Sequence, residues 1–253
     1  MIDILHVYKS FGPKKILIDV NLTVEKGKTL VVLGGSGTGK SILLKTTIGL
    51  IKPDAGKIII DGTDITHCSA EDLQKVRKNM GYVFQEAALF DSMSIADNVA
   101  FGLRQMTTLN PTQIKQRIEE VLSFVGLKGI EHLKPSELSG GMKKRVAIAR
   151  TIAYQPEYIF YDEPTTGLDP IMTRVISGLI INLRQKMNTT SIVVTHDMAS
   201  AFMIADEIVM LYEGKIIFRG TAEETKNTDN PIVREFVYGL SQPDGNSQER
   251  SNQ

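Results

Sequence analysis

The 253 residues suit one large domain or a domain carrying an inserted lobe. Hydrophobic residues make up 42%, enough for a packed core, while Lys plus Arg and Asp plus Glu balance at 29 each, so no global field attracts nucleic acid or acidic lipid. Cys68 stands alone, which excludes an internal disulfide, and the best apolar run, VISGLIINL at 175–183, is about half of what a bilayer requires.

The opening residues, MIDILHVYKSFG, lack the basic start and long apolar run of a signal peptide. Any membrane spanning is therefore expected of another chain. IDILHVY (2–8) and KILIDVNLTV (15–24) alternate apolar and polar residues, which predicts half-buried strands. TLVVLG (29–34) is short, apolar and closed by glycine, as a central buried strand would be. A helix is expected from Lys40 to about Leu50, stopped by KPDAGK, with a strand at KIIIDG (57–62) and another at MGYVF (80–84). From about residue 86 the texture turns helical, with segments at 94–104, 111–127 and 143–154, and Pro111 and Ser139 make good helix starts. Strands return at 158–162, 191–196, 207–212 and 215–220, with a helix from about Pro170 to Met187 between the first two. The pattern is an α/β core interrupted by a helical insert. The last stretch, 241–253, is polar and is expected to be disordered.

GGSGTGKS, Gly34 to Ser41, follows a predicted strand, precedes a predicted helix, and fits the phosphate-loop pattern in full. Gly34, Gly35, Ser36, Gly37, Thr38 and Gly39 would wrap phosphates with main-chain N–H groups, assisted by the helix dipole. Lys40 is expected to reach the β- and γ-phosphates, and the Ser41 hydroxyl to ligate Mg²⁺. YIFYDEP (158–164) carries Asp162 to the end of an apolar strand, where it can hold the Mg²⁺ shell. Glu163, one residue on, can polarise a water for attack on the γ-phosphate. An acidic pair after a strand is more often a cap or a solvated turn, so the phosphate loop gives this one its meaning. His196 ends a strand expected in the same sheet, and Gln85 could bind the attacking water or complete the Mg²⁺ shell.

ELSGGMKKRVAIAR (137–150) poses a separate question, because it also looks like an anion site at a helix start. With the other motifs in their order, it makes the chain resemble the nucleotide-binding subunit of ABC transporters over residues 1 to about 225. The resemblance rests on residues 34–41, Gln85, LSGGM at 138–142, YIFYDEP, GLDP at 167–170 and His196. It implies a RecA-like phosphate-loop core (1–85 and 156–228), an N-terminal antiparallel β subdomain and an inserted helical subdomain (86–155). It also implies an ATPase working as a head-to-tail dimer, each ATP held by the phosphate loop of one copy and the LSGG loop of the other. Ser139, Gly140 and Gly141 would then serve the second copy's nucleotide. By the same resemblance Phe11 stacks on adenine, Asp169 bridges the two sites, and Glu163, His196 and Gln85 are catalytic. Met142 stands where the family usually has Gln.

Residues 88–104, 136–153 and 233–240 look closest to the ATPase of Mla/Mce-type lipid transporters, where Met at position 142 is common. That implies a peripheral protein on the cytoplasmic face of a bacterial inner membrane, with an integral permease, an Mce-domain substrate-binding protein and a small STAS-like protein as partners, and no nucleic acid. The alternatives are an importer ATPase for amino acids or metals, or a regulatory ABC protein of cell division. A phosphate-loop GTPase is disfavoured, because no N-K-x-D motif is present. Beyond residue 228, NPIVREFVYGL places Ile232, Val233, Phe236, Val237 and Leu240 at helical spacing. That stripe either packs on its own domain or reaches the other subunit.

Overall fold

The computed structural model describes residues 1–239. Leu240, at the end of the apolar stripe, and the polar tail 241–253 lie outside the described residues.

β1 (Ile2–Phe11) and β2 (Lys14–Val24) form an antiparallel hairpin that buries Ile2, Ile4, Leu17 and Val20. β3 (Thr29–Leu33), buried at every position, leads into α1 (Lys40–Thr47). The helix ends three residues before the expected Leu50. Gly49 adopts φ 71° and the N–H of Leu50 turns back to the carbonyl of Lys45 at 2.8 Å, a left-handed helix end. β4 (Ala55–Ile60) and β5 (Thr63–Asp64) follow, then α2 (Ala70–Arg77) and β6 (Met80–Val83). The apolar pattern does not announce α2, which buries no residue fully; Ser69 caps it by accepting from the Asp72 N–H at 3.1 Å.

Three helices fill the insert: α3 (Ile95–Met106), α4 (Pro111–Phe124) and α5 (Gly140–Ile152). Each is capped by the residue before it, Ser94, Asn110 and Ser139, and Asn110 with Gln113 makes a complete capping box. β7 (Tyr158–Asp162), α6 (Pro170–Met187), β8 (Thr190–Thr195), α7 (Met198–Ile204), β9 (Glu207–Tyr212) and β10 (Lys215–Gly220) complete the core. α8 (Ala222–Asn227) and α9 (Pro231–Tyr238) close it.

The first sheet runs β2-β1-β4-β5 and is antiparallel; the second runs β10-β9-β3-β8-β7-β6. In the second, β9, β3, β8, β7 and β6 are parallel, and β10 returns antiparallel along β9. Residues of the central strands alternate between two cores. Val31, Ile159 and Val193 face the helices, while Leu30, Phe160 and Ile192 face the first sheet and α1. Burial on both faces is why these strands read as continuous apolar runs. This is the expected α/β phosphate-loop architecture, with an antiparallel sheet at its N-terminal side and helices inserted between β6 and β7.

α9 settles onto its own chain. Val233 is completely buried, Phe236 packs against the helix-side core, and the Tyr238 hydroxyl donates to the Lys226 carbonyl at 2.8 Å. No helix among the described residues is long and apolar enough to cross a membrane.

Candidate active site

The sheet order decides which side chains meet. β8 lies between β3 and β7, with Leu33 opposite Thr195 and Asp162 opposite Val194. The C-terminal ends of all three strands therefore deliver the phosphate loop, His196 and the Asp162–Glu163 pair to one edge, where open α/β sheets bind ligands. Gly39 makes the turn from loop to α1 at φ 104°, with a Cβ there set to lie 2.9 Å from Cγ2 of Ile16 in β2. Only glycine fits without displacing that strand. Among the described residues, no acceptor takes a hydrogen bond from the N–H of Gly35, Ser36, Gly37, Thr38 or Gly39. These donors line one concave turn beside the start of α1, an arrangement suited to phosphate oxygens.

Lys40 is buried, and its Nζ donates to the carbonyls of Gly34 (2.8 Å) and Gly35 (2.9 Å) and lies 3.3 Å from Oε1 of Glu163. The Ser41 hydroxyl donates to Oδ1 of Asp162 at 2.6 Å, and the Tyr82 hydroxyl donates to Oδ2 at 2.8 Å. Two hard oxygen donors, Ser41 Oγ and an Asp162 carboxylate oxygen, thus adjoin beside the phosphate loop. They suit Mg²⁺, which takes one or two protein oxygens and fills its octahedron with phosphate and water. Gln85 is exposed, and no hydrogen bond joins its side chain to Ser41 or Asp162.

Glu163 takes the left-handed backbone region at φ 49°, anchored by its N–H on the Val194 carbonyl at 3.0 Å. Its Oε2 meets His196 Nδ1 at 2.9 Å and accepts from the Thr166 hydroxyl at 3.0 Å. Burial raises the carboxyl's pKa, but the His196 hydrogen bond and the Lys40 charge outweigh it and hold the group below its ordinary value. Glu163 is therefore an ionised acceptor at neutral pH, oriented by three side chains, as a general base requires.

The remaining expected residues make no side-chain hydrogen bond to Lys40, Ser41, Asp162 or Glu163. Phe11, half exposed, ends β1 beneath the Lys9 ammonium, 5.4 Å from its ring centre. Ser139 and Gly140 are exposed at the start of α5, where the Ser139 hydroxyl accepts from the Met142 N–H at 3.3 Å. A Cβ on Gly141 would fall 2.7 Å from Cε of Met172 in α6, whereas one on Gly140 would meet none of the described residues. Packing therefore bears on Gly141 only through the flexible end of Met172, and on Gly140 not at all. Asp169 caps α6, its Oδ1 accepting from the N–H groups of Ile171 and Met172 at 2.9 Å each. Motif spacing does not single out Tyr82 or Lys144. Tyr82 reads as one more apolar strand residue, and Lys144 as a solvated helix lysine. Their polar ends turn inward only because β6 adjoins β7 and α5 packs under Gln85.

Residues 17–166 match the family described as ABC transporter. The chain belongs to that family. This cassette is 43% identical over 238 residues to the probable ribonucleotide transport ATP-binding protein mkl of Mycobacterium tuberculosis, covering 94% of this chain and 66% of that protein. It thus spans slightly under two thirds of that relative's length. It is also 43% identical over 241 residues to the intermembrane phospholipid transport system ATP-binding protein MlaF of Haemophilus influenzae, covering 95% and 91%. Among solved structures, a dimeric ATP-binding cassette in a post-hydrolysis state, bound to ADP and Pi, superposes with a TM-score of 0.82 at 30% identity, covering 88% of this chain and 99% of that one.

Proposed function

We propose that this cassette is the ATP-hydrolysing subunit of a transporter that moves phospholipid between bacterial membranes. The observation that carries the hydrolytic part is Glu163, ionised and fixed between Lys40 and His196 beside the Ser41–Asp162 pair. The lipid substrate rests on the similarity to a phospholipid-transport subunit over nearly its full length.

The free N–H groups of the phosphate loop and Lys40 hold the β- and γ-phosphates. Ser41 and Asp162, with Gln85 as a further candidate ligand, would hold Mg²⁺, which would supply charge neutralisation on the phosphates when bound. Glu163 takes the proton from the attacking water, and His196 keeps its carboxylate aimed. Phe11 offers a half-exposed ring to adenine. A second copy, head to tail, brings Ser139, Gly140 and Gly141 to the γ-phosphate, and Asp169 keeps its other carboxylate oxygen for the opposite site. The cassette proper is residues 1–228, with 86–155 as its helical arm. The permease docks on the arm, where the exposed rings of Phe90 and Phe101 meet tilted, 4.9 Å between centres. An Mce-domain protein and a small STAS-like protein complete the assembly, and the cassette sits peripherally on the cytoplasmic face of the inner membrane.

The test is reconstitution with the permease and Mce-domain protein encoded beside it, in vesicles holding fluorescent phospholipid. ATP-dependent lipid transfer, lost in Glu163→Gln, is the expected result. Similarity to mkl favours one rival cargo, so a parallel arm measures labelled ribonucleotide uptake. Uptake there without lipid transfer would reassign the substrate and leave the ATPase intact.

A further inference from the structure

Helix α5 buries a charge that the reaction outlined above does not use. Lys144 is 8% exposed, and its Nζ donates to two main-chain carbonyls, Gln85 O at 2.5 Å and Glu163 O at 3.3 Å. Burial depresses its pKa, against the opposing pull of the Glu86, Glu163 and Asp162 carboxylates. Among the described residues, no carboxylate lies within ion-pairing distance of it. A buried ammonium held only by carbonyls is costly, so neutral packing is not what this position is built for.

The two carbonyls belong to two strained turns. Glu163 has φ 49°, and Gln85 opens a loop in which Ala87 and Ala88 have φ 61° and 48°. Left-handed backbone is disfavoured for residues with a Cβ and persists only where neighbours over-determine it. Arg150 latches the loop further along, donating to the carbonyls of Ala87 (2.8 Å) and Ala88 (2.6 Å). Among the described residues only Lys144 bonds both the loop and the carboxylate turn. It stands five residues past Ser139 on the same helix, about 7.5 Å along the axis. The helix that presents Ser139 therefore also carries the group that ties Gln85 to Glu163.

We infer that Lys144 is a positioning residue for ATP hydrolysis, its ammonium fixing the main chain of Glu163 and Gln85 so that the carboxylate meets its water. This rests on Glu163 being the base. Lys144→Met keeps the apolar stem and removes the donors. In single-turnover assays with labelled ATP, it is expected to lower kcat roughly 10- to 100-fold, the scale of a small misplacement of a catalytic group. The KM for ATP is expected to stay within about threefold, because the phosphate loop is untouched. Lys144→Arg restores most of kcat.

The deciding measurement is the same substitution in a Glu163→Gln background. With no base left to position, it is expected to cost less than about threefold more. Equal fold-losses in the two backgrounds, or a risen KM with kcat unchanged, would make Lys144 a purely structural residue and overturn the inference. Melting is followed in parallel, and if the methionine variant melts early, Lys144→Gln carries the same comparison. Wild-type turnover in Glu163→Gln alone is a distinct result: it removes the base assignment itself.

Discussion

Replacing Glu163 with Gln changes one oxygen to a nitrogen in the most constrained side chain of the site. The carboxylate has three partners: Lys40 at 3.3 Å, His196 at 2.9 Å and Thr166 at 3.0 Å. The amide keeps one acceptor oxygen and loses both the negative charge and the capacity to take a proton. A positioned general base contributes about 10²–10⁴-fold, so the barrier to hydrolysis should rise by about 3–5 kcal/mol. ATP binding should not weaken. Lys40 keeps the Gly34 and Gly35 carbonyls, Ser41 and Asp162 are unaltered, and a negative charge leaves the neighbourhood of the γ-phosphate. The expected phenotype is tight binding with slow turnover, and accumulation of an ATP-bound dimer. Equilibrium ATP binding, single-turnover hydrolysis and size-exclusion chromatography with ATP measure the three effects. Turnover within about threefold of wild type would show that Glu163 is not the base.

Because the Glu163 carboxyl sits below its ordinary pKa, its basic form is complete at neutral pH and is lost only on acidification through that lowered value. Its contribution to stability follows the same course, present above the unfolded-state pKa and lost below the folded one. Single-turnover rates should therefore show no acid limb from this group between about pH 6 and 8, and a limb that vanishes in Glu163→Gln within that window would contradict the assignment. Ser139→Arg should leave ATP affinity of the isolated chain near wild type while abolishing ATP-dependent dimerisation; affinity lost in the monomer would mean that the LSGG loop serves its own nucleotide. Val233→Ala removes two buried carbons of α9 and should cost about 2 kcal/mol, a fall of roughly 4–8 °C in melting temperature. An unchanged melting point would place α9 off its own core.

The strong elements were legible because their signals agree. The apolar runs at 29–33, 158–162 and 190–195 are buried on both faces, and the glycine-rich turn with Lys40 and Ser41 lies where a strand hands over to a helix. What the pattern missed was short or made by tertiary contact. α7 and α8 span seven and six residues, too few turns for periodicity to speak, and α2 buries no residue and so carries no apolar stripe. α8 nonetheless carries a complete capping box in Thr221 and Glu224, a signal that spacing alone could have revealed. Tyr82 and Lys144 are beyond any local rule. Each becomes polar machinery only when strand order or helix packing puts Asp162 or Gln85 against it.

The same contrast bears on the two phosphate-seeking segments. The phosphate loop exposes Ser36 and Gly37 but is tied into its own chain, with Lys40, Asp162, Glu163 and His196 all joined to it or to one another. The LSGG segment has the complementary character. Ser139 and Gly140 are exposed, and among the described residues the only side-chain hydrogen bond there is the helix cap and none needs Gly140 to lack a Cβ. An exposed helix start with a glycine that packing does not require fits the proposed role, an anion site whose anion a second copy supplies. If the second copy supplies it, closing the dimer satisfies α5 at its N-terminus while Lys144, on the same rigid helix, holds the hydrolytic turn of the other nucleotide. Each ATP would then bear on the geometry at both sites, which favours paired over independent turnover.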